Sequence, residues 1–99
     1  MPTIDVALNE IPLGKPLRLE QGTEAIVLLR TEHQISAFPD CCPHAQWRLS
    51  EGELIHGVLE CPGHGWQFDA ATGACLTAAT YRLRPLPVHV QADRVSIQW

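Results

Sequence analysis

Apolar and polar residues alternate along most of this chain with a period of two, and no helical period persists for three turns. Thr3 to Ala7 alternates weakly, and Asn9-Glu10-Ile11-Pro12-Leu13-Gly14-Lys15 reads as a loop or at most one helical turn. Leu17 and Leu19 alternate with Arg18 and Glu20, which sets two leucines on one face of a strand. Gln21-Gly22-Thr23 turns the chain into Glu24 to Arg30, where Ala25-Ile26-Val27-Leu28-Leu29 is apolar on both faces, the pattern of a central buried strand. Thr31-Glu32-His33 turns again into Gln34 to Phe38. Strands recurring roughly every eight to ten residues predict an antiparallel meander.

Residues 39 to 71 interrupt the meander. A hairpin runs from Glu53-Leu54-Ile55 through a His56-Gly57 turn into Val58-Leu59-Glu60, so that Cys61 stands at a strand end. Trp66-Gln67-Phe68-Asp69 reads as a further strand, closed by Ala70-Ala71-Thr72-Gly73. Beyond it Leu86, Val88 and Val90 share one face and Val95, Ile97 and Trp99 another, with Ala92-Asp93 as a tight connection between two strands. Pro85 and Pro87 lie opposite Leu86 and mark an edge strand. Periodicity alone supports only a small all-β protein, of one domain at residues 1–99; the order of the segments is that of an antiparallel barrel or sandwich of residues 1–38 and 72–99 with residues 39–71 inserted.

A chain of 99 residues buries perhaps two-thirds of its unfolded surface, so a group that cross-links two loops would reinforce a modest core. No apolar run reaches the length of a membrane span, and Met1-Pro2-Thr3-Ile4-Asp5 lacks the basic and hydrophobic regions of a signal, which leads us to expect a cytoplasmic protein without a membrane anchor. The net charge of -4 argues against a nucleic-acid partner. No Ser/His/Asp set, paired carboxylates or phosphate-binding glycine loop stands out, so we expect no catalytic residues.

The chemistry gathers in two loops. Cys42-Pro43-His44 offers C-x-H, Cys61-Pro62-Gly63-His64 offers C-x-x-H, and residues 45 to 60 separate them. A structural zinc finger usually draws two like ligands from each element, as C-x2-4-C followed by H-x3-5-H. One thiolate and one imidazole per loop suit a dinuclear centre better, each loop giving its Cys to one iron and its His to the other.

These residues, with Leu49-Ser50-Glu51-Gly52, Gly65-Trp66, Phe68-Asp69 and Thr72-Gly73, resemble the Rieske ferredoxins of bacterial multicomponent oxygenases over nearly the whole chain. The resemblance implies the Rieske fold, with residues 39–71 as the cluster-binding subdomain. It also implies one [2Fe-2S] cluster held by Cys42, His44, Cys61 and His64, with the cysteines on the buried iron and the histidines on the outer one. The implied role is a monomeric one-electron shuttle from an NAD(P)H-dependent flavoprotein reductase to a terminal oxygenase that attacks aromatic compounds. Such a role would use acidic residues such as Glu51, Glu53 and Glu60 to steer onto basic partners. High-potential members of the wider group carry disulfide cysteines where this chain has Trp47 and Gly63, and a serine where it has Trp66. The expected midpoint therefore lies low in the Rieske range, at roughly -200 to -100 mV.

Two departures from the family stand out: Gln46 replaces a glycine common among dioxygenase ferredoxins, and residues 76 to 81 lack a common proline. They leave open whether the partner is a dioxygenase or a diiron monooxygenase. The competing readings are an accessory subunit like the small subunit of assimilatory nitrite reductase, and a zinc-binding structural module. Of the remaining candidates, Cys41 is an alternative ligand in a shifted register, Cys75 a small core residue and Trp66 a packing residue, whereas Trp47 becomes a docking contact if exposed. His33, His56 and His89 lack ligand spacing and are expected to face solvent.

Overall fold

The computed structural model describes residues 3–43, 47–63 and 65–98. Among them run nine strands: β1 (Thr3–Ala7), β2 (Leu17–Gln21), β3 (Glu24–Arg30), β4 (Ile35–Pro39), β5 (Glu53–Ile55), β6 (Val58–Glu60), β7 (Gln67–Asp69), β8 (Val88–Gln91) and β9 (Arg94–Gln98). Two single 3-10 turns, Leu8–Glu10 and Leu49–Glu51, complete the regular structure. The strands form three antiparallel sheets of order β1-β9-β8, β2-β3-β4 and β5-β6-β7, an all-β architecture as expected.

β3 explains how the sheets stack. Its Ile26 and Leu28 join Ile11, Ala37, Leu86, Val95 and Ile97 in one buried cluster, while Val27 and Leu29 join Phe38, Leu49, Leu54, Leu59 and Phe68 in another. Successive side chains on a strand point to opposite faces, so a strand feeding two cores must be apolar throughout. The sheet β2-β3-β4 is thus the middle layer, with β1-β9-β8 over one face and β5-β6-β7 over the other.

The turns follow from backbone chemistry. β5 and β6 are joined by His56 (φ 51°) and Gly57 (φ 78°), both left-handed as a type I′ turn requires. β8 and β9 are joined through Ala92 at φ 55°, a conformation costly for a residue with a Cβ. Replacing Ala92 by Gly is expected to raise stability by about 0.5–1 kcal/mol, the relief of strain being partly offset by the entropy of the freer unfolded chain. Chemical denaturation of the two proteins measures this, and an unchanged midpoint would contradict it.

Three details differ from the sequence reading. Ile11, placed in a loop, is fully buried, because the 3-10 turn ahead of it directs the chain back under the middle sheet. Val90 is exposed although Leu86 and Val88 on the same face reach the core, since β8 is an edge strand that runs off the core toward its turn. The register pairs Val88 with Ile97 and Val90 with Val95, so the two apolar sets share one face of the sheet. Trp99 lies outside the described residues.

Candidate metal centre

Two loops with one closure pattern stand beside each other at the end of the β5–β6 hairpin away from its turn. The first leaves β4, and the Cys42 N–H donates to the Trp47 carbonyl at 2.8 Å. The second leaves β6, and the Cys61 N–H donates to the Trp66 carbonyl at 2.7 Å. Each loop therefore begins at a cysteine and closes on the tryptophan five residues later. The repeated spacing Cys-x4-Trp is visible in the sequence, although only the structure gives it meaning.

Cys42 (0% exposed) and Cys61 (1%) belong to one buried cluster with Phe38, Leu49, Leu59 and Phe68. Cys41 is exposed beside its buried neighbour, which favours the register through Cys42. His44 and His64 lie outside the described residues. Among the described residues no group of three or more His, Cys, Asp or Glu side chains is placed to hold a metal by itself. Two sulfur donors from separate loops, screened from water by hydrocarbon, are nonetheless the donor chemistry that an iron–sulfur group requires.

Glycines let the loops meet. A Cβ built on Gly63 would stand 2.4 Å from the Trp47 indole, so the ring of the first loop lies directly against the backbone of the second. Trp47 remains 48% exposed on its other side. Gly65 serves differently, having φ 71° and open space around it. Gly52 lies against the Glu60 carbonyl, where a Cβ would come within 1.9 Å.

The base of the first loop is held by Asp40, whose side chain is fully buried. Its Oδ1 accepts from the Ser50 N–H at 2.7 Å, and its Oδ2 accepts from the Ser50 hydroxyl at 2.6 Å and from Arg18 Nη1 on β2. These bonds, first to Asp40 and then to Glu20, hold the Arg18 guanidinium protonated even more firmly than usual. Asp40 was not foreseen as part of the site, because a single Asp before a cysteine has no distinguishing spacing, and Ser50 stood out only as part of Leu49-Ser50-Glu51-Gly52, without a role.

A third segment flanks the second loop. The Cys75 N–H donates to the Tyr81 carbonyl at 3.2 Å, and the Cys75 sulfur accepts from the Ala78 N–H at 3.2 Å. Tyr81 meets Trp66 edge-on, with ring centroids 5.1 Å apart. Cys75 is thus a small buried residue and Trp66 a half-buried packing residue, as read from the sequence, and none of the four cysteines forms a disulfide. His33, His56 and His89 are exposed.

The surface beside the loops is acidic. Glu53 and Glu60 are exposed and sit directly opposite each other across β5 and β6, with Gln67 donating to Glu60 at 3.3 Å. Among the described residues, exposed Glu51 has only a long 3.8 Å pair with Arg48.

Comparison with known proteins agrees with this geometry. The model of the Rieske [2Fe-2S] domain matches residues 2–87. The ferredoxin component of a naphthalene 1,2-dioxygenase system from Pseudomonas aeruginosa is 37% identical, covering 93% of this chain and 89% of the relative. The ferredoxin component of biphenyl 2,3-dioxygenase from Rhodococcus jostii (strain RHA1) is 38% identical over 90% of this chain and 84% of the relative. Among solved structures, a chain from a complex of reduced oxygenase and oxidized ferredoxin in carbazole 1,9a-dioxygenase superposes with a TM-score of 0.86 at 31% identity, covering 96% of this chain and 91% of that one.

Proposed function

This chain belongs to the Rieske [2Fe-2S] domain family and is an electron-transfer ferredoxin, and we propose that it carries single electrons from an NAD(P)H-dependent flavoprotein reductase to a terminal oxygenase. The observation that carries this reading is the burial of Cys42 and Cys61 in one apolar cluster at the starts of two loops with the same closure. In this reading Cys42, His44, Cys61 and His64 would hold the cluster, the two cysteines as ligands of one iron and the two histidines as ligands of the other. The bound cluster supplies one-electron redox chemistry, and imidazole in place of two thiolates raises its potential above that of a four-cysteine centre.

The residues of the chain set how that chemistry is used. Hydrocarbon around the cysteines excludes water from the inner side. Trp47 and Gly63 join the loops by contact rather than by a disulfide, and Trp66 offers no hydroxyl donor, so fewer dipoles favour the added electron. The proposed midpoint accordingly lies at roughly -200 to -100 mV, and a value above zero in protein-film voltammetry would refute it. We place the protein in the cytoplasm as a monomer; among the described residues no helix is long and apolar enough to cross a membrane. The system served is an aromatic-compound oxygenase, in keeping with the relatives' names.

Low-temperature EPR of the dithionite-reduced protein, with iron, sulfide and zinc analysis, tests the reading. A rhombic signal with about two irons per chain is expected from Rieske ligation. An EPR-silent protein holding one zinc would make the chain a structural metal module. His64→Cys is expected to retain iron and lower the potential, since a thiolate donates more charge than imidazole; an unchanged potential would contradict the ligand assignment.

The acidic face gives a separate prediction. Like charges directly opposite in a ladder disfavour the fold, so Glu60→Gln should stabilise it by about 0.2–0.5 kcal/mol while slowing association with a basic partner at low salt. Stopped-flow reduction at two ionic strengths, beside a denaturation curve, measures both effects.

A further inference from the structure

Three donors converge on the Asp40 carboxylate: the Ser50 N–H, the Ser50 hydroxyl and a guanidinium N–H of Arg18. Ser50 lies beyond the loop that runs from Cys42 to Trp47, so the chain leaves Asp40 and returns to the same carboxylate. Asp40 is also pinned from behind, its own N–H donating to the Ala25 carbonyl of β3 at 3.0 Å. Only a carboxylate offers acceptors on both oxygens; an asparagine would turn an NH2 group toward one set of donors. Burying a charge is costly even when it is paired, and an apolar filling is often as stable, so packing alone gives no reason for an ion pair here. Among the described residues the base of the second loop has no buried carboxylate: exposed Glu60 accepts from Gln67 at 3.3 Å, and the loop itself is closed by backbone bonds.

We propose that Asp40 is the positioning residue of the first ligand loop, and that Arg18 serves as its counter-charge. The carboxylate fixes where the loop bearing Cys42 and His44 begins and ends. The guanidinium cancels the negative field that a bare carboxylate two residues from Cys42 would impose on a bound redox group. The loop is thereby held by a charged group without its charge being felt. The electrostatic half of this inference rests on the electron-carrier reading; the positioning half does not.

The test compares Asp40→Asn, Arg18→Gln, the double variant and Ser50→Ala with the parent. In the metal-free proteins, amide hydrogen exchange of residues 41–49 is expected to speed up about tenfold in Asp40→Asn, the scale of losing a buried hydrogen-bond partner, and to change much less in Arg18→Gln. In the iron-loaded proteins, release of iron to a chelator should follow the same order. Midpoint potentials should move in opposite directions: upward in Asp40→Asn, where the buried negative charge is lost and Arg18 keeps its pair with exposed Glu20, and downward in Arg18→Gln, where the Asp40 carboxylate loses its counter-charge, with the double variant returning toward the parent. A purely structural pair would not give opposite signs. Should Asp40→Asn fail to fold, Ser50→Ala decides the matter, since it removes one bond without altering charge and should speed exchange with the midpoint unmoved. Unchanged loop exchange in Asp40→Asn and Ser50→Ala overturns the positioning role. Potentials that stay put or shift in the same direction overturn the counter-charge role. A parent protein that takes up no iron overturns the electron-carrier reading instead, and the exchange measurements still decide for or against Asp40.

Discussion

Gly52→Ala is expected to destabilise the protein by about 3 kcal/mol, the upper range for forcing an atom into a filled space. The added Cβ would stand 1.9 Å from the Glu60 carbonyl oxygen and 3.0 Å from its carbon, both backbone atoms. Neither side can yield easily. Glu60 is held in the β6 ladder next to Cys61, and the 3-10 turn before Gly52 is anchored by buried Leu49. The φ of Gly52 is -84°, which any residue adopts, so the requirement is one of space and not of backbone freedom. Gly65→Ala supplies the contrast: its φ of 71° disfavours a side chain but nothing blocks one, and the expected loss is nearer 1 kcal/mol. Urea unfolding of the two variants separates the cases, and a loss below about 1 kcal/mol for Gly52→Ala would show that the loop and hairpin slide apart freely.

Replacing either Cys42 or Cys61 by serine is expected to remove at least about nine-tenths of the bound iron, because a hydroxyl is a poor ligand for a centre built on thiolates. Cys41→Ser and Cys75→Ser should retain it. Cys41 points its sulfur toward the Cys42 carbonyl at 3.8 Å from an exposed position, and Cys75 accepts from the Ala78 N–H. Iron and sulfide content of the four purified variants is the measurement. Retention in Cys42→Ser with loss in Cys41→Ser would shift the ligand register by one residue.

Strands were legible from their own alternation or apolar runs, whether the partner is local, as for β5 and β6, or distant, as for β1, which pairs with β9. β1, β3, β5 and β6 coincide with the segments read from alternation, and the His56-Gly57 turn is found where a glycine-containing pair joins two apolar strands. β4 and β7 each begin one residue later than read, an ordinary margin for a strand end. Ile11 was missed because its burial depends on a 3-10 turn that has too few residues to show a period. The stacking of three sheets was missed because alternation reports that a face is buried and not what covers it. At the candidate centre, the cysteines were legible through their spacing, whereas the Asp40–Ser50–Arg18 group joins residues 10 and 22 positions apart that share no pattern. The Trp47–Gly63 contact was half visible: both positions drew attention as departures from a disulfide, but their packing against each other depends on how the loops lie in space.

The pairing of β9 between β1 and β8, with Thr3 opposite Gln98, also sets the order in which the protein can form during synthesis. The middle strand of that sheet is the last to be made, and β1 and β8 have no direct ladder to each other without it. Until residue 98 leaves the ribosome, β1 has nothing to pair with, while β2 to β7 can already join their neighbours. Both cysteine loops therefore leave the ribosome more than thirty residues before the sheet β1-β9-β8 can close along its full length.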